Sequence, residues 1–183
     1  MRFFSKGACL TLVFASLPLF AQNFSSENLA PYIPTPQLIV EKMLEAGRVT
    51  PGDVVYDLGS GDGRIVITAA QKFGAKAVGV EIRPDLVQMA EAHIKALGLE
   101  DRVKMLHDSA LRVDFSSASV VTMCLLTSSN ERLKPNLQKY LKPGSRVVSN
   151  EFPIKGWKPV EVVHVKTGRM DHSLFVYEIG HTN

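Results

Sequence analysis

The chain is short of the features that most quickly assign a protein. Among its 183 residues there are two cysteines, Cys9 and Cys124. Cys9 falls in a stretch that reads as a leader, so the remaining chain has no partner for an internal disulfide. It needs none, because a domain of this length buries roughly 70% of its unfolded surface. Cys124 reads as a small buried residue at a strand end and not as a nucleophile. The five histidines, His93, His107, His164, His172 and His181, show neither metal-ligand spacing nor companion cysteines, and no metal is expected. His93 reads as a surface or boundary residue of an amphipathic helix. A G-x-S-x-G elbow is lacking, which removes the serine-hydrolase reading. Apolar runs stop short of the about 20 residues a membrane helix needs. Charge of one sign is also scarce: the net +3 includes Arg2 and Lys6 of the leader, which leaves no surplus for a nucleic-acid surface. Repeats and low-complexity tracts are absent, and the length suits one domain.

What is present begins with Met1–Gln22. Arg2 and Lys6, an apolar run from Ala8 to Leu17, then Pro18 and Ala21-Gln22 follow the order of a secretory signal peptide, predicting a signal over residues 1–21 and a periplasmic or secreted domain. Leu19 makes the cleavage site imperfect, and an uncleaved anchor would still place the domain outside the cytoplasm. Residues 22–30 read as a polar linker, and residues 31–183 as the domain. Pro31, Pro34 and Pro36 impose an extended entry, after which Thr35 is placed to cap a helix that Gly47 ends.

The chain is organised around Asp53–Gly63, DVVYDLGSGDG. Val54-Val55-Tyr56 is a short β-branched run, and the three glycines after it join a strand to a helix opening at Arg64. Ligands of α/β sheets sit at such loops. A dinucleotide fingerprint needs a small third residue for close packing, yet that place holds Arg64, and Asp57, Asp62 and Glu81 would repel a diphosphate. The pattern suits a ligand without phosphates that carries positive charge, and S-adenosylmethionine, with an ammonium and a sulfonium, is one. Downstream, strands are predicted at Ala77–Val80, Val103–Leu106, Ser119–Leu125, Arg146–Asn150, Val160–Val165 and Ser173–Ile179. Helices are predicted over Pro84–Leu97 and from near Ser128 to Leu141, the latter kinked or split by Pro135. Between the fifth strand and Val160 no helical pattern is visible.

The run V-x-D-L-G-S-G-D-G-R with the later acidic Glu81 resembles the first two motifs of class I S-adenosylmethionine-dependent methyltransferases. Pro31–Pro36, Gly59–Ala70, Phe152-Pro153 and Trp157-Lys158-Pro159 narrow the resemblance to the small lysine methyltransferases related to the mitochondrial enzymes that modify the adenine nucleotide translocase and ATP synthase subunit c, with their archaeal and bacterial relatives. It implies an α/β, Rossmann-like fold: a mostly parallel seven-stranded sheet, helices on both faces and an antiparallel last strand. It also implies S-adenosyl-L-methionine as cofactor and a protein lysine as methyl acceptor, and it places the Pro-Tyr-x-Pro segment over the cofactor's methionine end. Tyr32 and Thr35 could equally be a turn and a cap with no ligand.

Candidate cofactor residues are the loop's Gly59, Ser60, Gly61 and Gly63, with Asp57 for the ammonium and Thr35 above. Glu81 can accept two hydrogen bonds from vicinal ribose hydroxyls, and Asp108 can accept the adenine amino group, unless His107-Asp108-Ser109 caps a helix. Candidate catalytic residues are Glu151, to orient the amine, and Tyr32 near the transferable methyl. Phe152 and Trp157 offer apolar walls for a lysine stem, or else are core anchors. Cys124-Leu125-Leu126-Thr127 lacks the polar-Pro-Pro-aromatic tetrad with which base-methylating enzymes grip a flipped base. Two other functions share these motifs: an exported S-adenosylmethionine-binding module without turnover, and a small-molecule methyltransferase.

Overall fold

The structure is a computed structural model that describes residues 27–168 and 170–182. The expected signal peptide at residues 1–21, and residues 22–26 of the expected linker, lie outside it. Eleven elements follow one another as α1 (Gln37–Ala46), β1 (Val54–Leu58), α2 (Arg64–Phe73), β2 (Lys76–Glu81), α3 (Pro84–Ala96), β3 (Val103–His107), β4 (Val120–Met123), α4 (Thr127–Tyr140), β5 (Arg146–Asn150), β6 (Glu161–Thr167) and β7 (Met170–Glu178). One seven-stranded sheet results, in the order β3-β2-β1-β4-β5-β7-β6. The first five strands pair parallel, while β7 lies antiparallel to both β5 and β6. The expected antiparallel last strand is thus present, and β6 joins it in a hairpin at the sheet edge.

Each central strand is buried on both faces, which is why β1 reads as an unbroken apolar run and not as an alternation. Val55 belongs to the core under α1, α2 and α3, with Ile39, Met43, Val66, Ala69 and Ala90. Its neighbour Tyr56 belongs to the opposite core, with Phe115, Leu133, Leu137, Trp157 and Tyr177. Among the described residues that second face carries only α4, and irregular chain around Phe115 and Trp157 closes the rest. The lack of helical pattern before Val160 is therefore a real gap in the helix layer.

Several expectations need correction. Thr35 caps nothing: Pro36 is the residue before α1, and no side chain bonds the first turn. Pro135 leaves α4 a single helix; it is exposed, as is Glu131 one turn earlier, so water can take the hydrogen bond that proline removes. No helix follows Asp108. Nor does the end of the expected linker stand away from the domain: Leu29 is 8% exposed within the second core, and its carbonyl accepts the Ser129 hydroxyl.

Candidate active site

A cleft opens at the carboxyl ends of β1, β2 and β4. The glycine loop forms its floor because three residues in five hold positive φ: Gly59 at 84°, Gly61 at 56° and Gly63 at 78°, a region closed to most side chains. Asp57, Gly59, Ser60, Gly61 and Glu81 line the cleft, as do Asp108, Tyr32 and Thr35. Gly63 and Glu151 do not.

Glu81, 7% exposed at the end of β2, accepts the Gly61 amide through Oε2 at 2.8 Å and the Arg83 amide through Oε1 at 2.9 Å. Each carboxylate oxygen has a second lone pair, so the bonds that fix the side chain still leave it able to accept two hydroxyls. Asp57 is 2% exposed and accepts the Thr122 hydroxyl at 2.7 Å. Burial pushes its carboxyl up to about 6; the Thr122 hydroxyl pulls it down, and the Glu81 and Asp62 charges raise it further. Asp108 sits farther out, where its Oδ1 accepts the Ser109 amide and the Arg112 guanidinium, the latter at 2.8 Å from Nη2. Arg112 also pairs with Glu27, which ties the start of the described chain to this end of the cleft.

Over the floor run residues 31–36, a strap with no regular secondary structure. A Cβ at Gly61 would lie 2.8 Å from Cε2 of Tyr32, so ring and glycine are in direct apposition. The strap's Thr35 hydroxyl donates to Cys124 Sγ at 3.4 Å. Cys124 is half-buried just past β4, and burial, then the Asp57 charge, pushes its thiol up to about 12, which fits a neutral packing residue.

Other expected roles fall differently. Gly63 faces α3: a Cβ there would lie 2.9 Å from that of Ala90. It packs the start of α2 closely against α3. Ser60 Oγ is buried without a hydrogen-bond partner among the described residues and lies where a Cβ at Gly79 would come within 2.6 Å. Trp157 is 7% exposed, edge-on to Tyr177 with centroids 5.6 Å apart. It is a core anchor, whereas Phe152, 37% exposed, remains an open apolar surface. Glu151 has φ 65° and its carboxylate contacts His172 Nδ1; His172 Nε2 lies 2.8 Å from the Thr167 hydroxyl. Sequence reasoning missed Thr122 as the partner of Asp57, and Arg64 and residues 27–30 as cleft wall. Of these only Arg64 carried a signal, its mismatch with the dinucleotide pattern.

The residues fit S-adenosylmethionine. A buried carboxylate with a raised pKa asks for a cation, and Glu81 retains acceptor capacity at the end of the second strand. Sheet order, glycine loop and acidic residue together define a class I S-adenosylmethionine-dependent methyltransferase. The ANTKMT methyltransferase domain profile matches residues 57–161, and the chain belongs to that family. It is 52% identical over 151 residues to a protein-lysine N-methyltransferase of Saccharolobus islandicus, covering 82% of this chain and 94% of that protein. It is 38% identical over 140 residues to the adenine nucleotide translocase lysine N-methyltransferase of Mus musculus, covering 76% of this chain and 61% of that one. A crystal structure of an RNA methyltransferase from Salinibacter ruber in complex with S-adenosyl-L-homocysteine superposes with TM-score 0.77 and 43% identity over 80% of this chain and 94% of that one.

Proposed function

We propose that this chain methylates the ε-amine of a lysine in a protein, with S-adenosylmethionine as donor. The observation that carries this is the 52% identity to a protein-lysine N-methyltransferase across 94% of its length. The uncovered segment after β5 supports it: without a helix layer, and with Phe152 exposed, the cleft adjoins a surface open to a polypeptide. The cofactor, when bound, supplies a methyl group on a sulfonium that a neutral amine can displace. A lysine has a pKa of about 10.4, so the chain's own residues must desolvate the ammonium, accept its proton and align it. Glu151, at the uncovered end and braced by His172, is proposed to orient the amine, with Tyr32 flanking the methyl from the strap. Labelled cofactor incubated with the purified domain and a cell-envelope extract tests the reading. Label in protein, recovered as methyllysine, is expected; label in RNA or small molecules, or cofactor binding with no transfer, would replace it. Glu151→Gln should lower kcat while cofactor affinity stays within about twofold, and full turnover would remove Glu151 from the mechanism.

Export through residues 1–21 is proposed as well, supported by the basic start, the apolar run and the Ala21-Gln22 junction. Mass spectrometry of native protein should find a chain beginning near Gln22 in the periplasm or beyond. An intact Met1 in a cytoplasmic fraction would refute it.

A further inference from the structure

We infer that Arg64 is a positioning residue: braced by Asp62, it clamps the 31–36 strap across the cofactor cleft by holding the Thr35 carbonyl, and so governs how long the cofactor stays. Arg64 is the first residue of α2, so its backbone is set by the helix while its side chain rises towards the strap. Its Nε donates to Asp62 Oδ1 at 2.9 Å and its Nη2 to Asp62 Oδ2. The remaining limb, Nη1, donates to the Thr35 carbonyl at 2.7 Å. Only a planar fork with several donors can grip a carboxylate on one side and a carbonyl on another, and a lysine ammonium lacks that shape. Burial would raise the Asp62 carboxyl, but the Arg64 guanidinium and backbone amide, with the Tyr32 hydroxyl, together hold it low. The brace therefore stays charged across the physiological range. Asp62 is 14% exposed and Arg64 30%, so the pair is sheltered from the screening that makes surface pairs weak.

Among the described residues the strap has few other holds, and Tyr32 shares the same pair, its hydroxyl lying close to Asp62 and Arg64. Tyr32 lies against Gly61, with the Arg83 guanidinium 6.0 Å from its ring centroid, and the Thr35 hydroxyl reaches Cys124 through a weak bond to sulfur. Prolines 31, 34 and 36 keep the strap extended and stiff, so one grip on Thr35 fixes the whole segment over the loop.

The test is cofactor dissociation from the full chain, measured by stopped flow for Arg64→Lys, Tyr32→Ala and the double variant. Arg64→Lys should release S-adenosylhomocysteine about tenfold faster, the scale of a lost charge-assisted hydrogen bond, with its association rate changed far less. Because both residues act through one strap, the double variant should be well short of additive. Chymotryptic cleavage after Tyr32 should also quicken in Arg64→Lys while the sheet stays resistant. Asp62→Asn, which removes the brace and leaves the clamp, should shift dissociation in the same direction and serves if Arg64→Lys fails to fold. Unchanged dissociation, strict additivity, or cleavage rising throughout the domain would overturn the clamp. Failure of the unsubstituted chain to bind the cofactor would instead remove the cofactor assignment on which the clamp rests.

Discussion

Asp57 and Glu81 are both buried carboxylates, but their partners give them opposite tasks. Glu81 is held by two amides and can be read by its deletion: Glu81→Ala should weaken cofactor binding by about 1.5–3 kcal/mol, the range for hydrogen bonds to a charged group. Calorimetry checks this, and unchanged affinity would remove Glu81 from the site. Gly61→Val should be more damaging, because it puts a β-branched residue at φ 56° and a methyl-bearing carbon against the Tyr32 ring. Asp57 should show itself through pH. Its carboxyl, ordinarily at 3.8, is raised to about 6 by burial, so between those values the folded chain holds a proton that the unfolded chain has released. Its contribution to stability is whole below 3.8 and is lost as pH rises through about 6. Asp57→Asn should then stabilise the cofactor-free chain at pH 8 by about 2–3 kcal/mol and flatten this part of its pH profile in denaturant melts. Cofactor affinity in the unsubstituted chain should rise over the same window, as the carboxylate forms to meet an ammonium.

At the scale of elements, β1 is fastened at its start by a cluster remote from the cleft. Asp53 accepts the Thr50 amide at 2.8 Å and the Ser119 hydroxyl at 2.6 Å, and pairs with Arg146 at the start of β5. One carboxylate thus joins the entry to β1 with the starts of β4 and β5, the central strands of the sheet. Asp53→Ala leaves the arginine, 18% exposed, without its partner, and should cost about 3–5 kcal/mol of stability. Cofactor affinity of the folded fraction should be unaffected, since the cluster lies at the opposite end of the strands; a denaturant midpoint within error of the unsubstituted chain would contradict this. The β6–β7 hairpin works at the other end. Through His172 and Thr167 it braces Glu151, so the antiparallel edge of the sheet supports a residue proposed to face the methyl acceptor.

For the whole molecule, the division of labour between the two faces decides where a substrate can approach. Three helices cover one face, while α4 and irregular chain cover the other and leave Phe152 exposed. The succession of strands and helices along the chain, the glycine loop and Glu81 were legible in the sequence because each is a local matter: short β-branched runs make strands, positive φ selects glycine, and a carboxylate at a strand end faces the cleft. The gap after β5 was legible for the same reason, as a stretch with no helical period.

The roles that depend on contacts between distant segments were not. Thr35 lies 29 residues from Arg64 and 89 from Cys124, and no spacing rule tells that its carbonyl is clamped and its hydroxyl spent on sulfur instead of a helix cap. Likewise Gly63 was assigned to the ligand because it sits in the loop, yet Ala90 of a different helix claims it. Pro135 was expected to kink or split its helix, and the split does not occur where an exposed face lets the proline join. By itself the sequence determined the elements, the loop and the type of ligand, since these follow from backbone conformation and charge along a few consecutive residues. Only the tertiary structure decided which side chains meet the cleft and which are committed to holding it, because that depends on distances between segments that chain order does not encode locally.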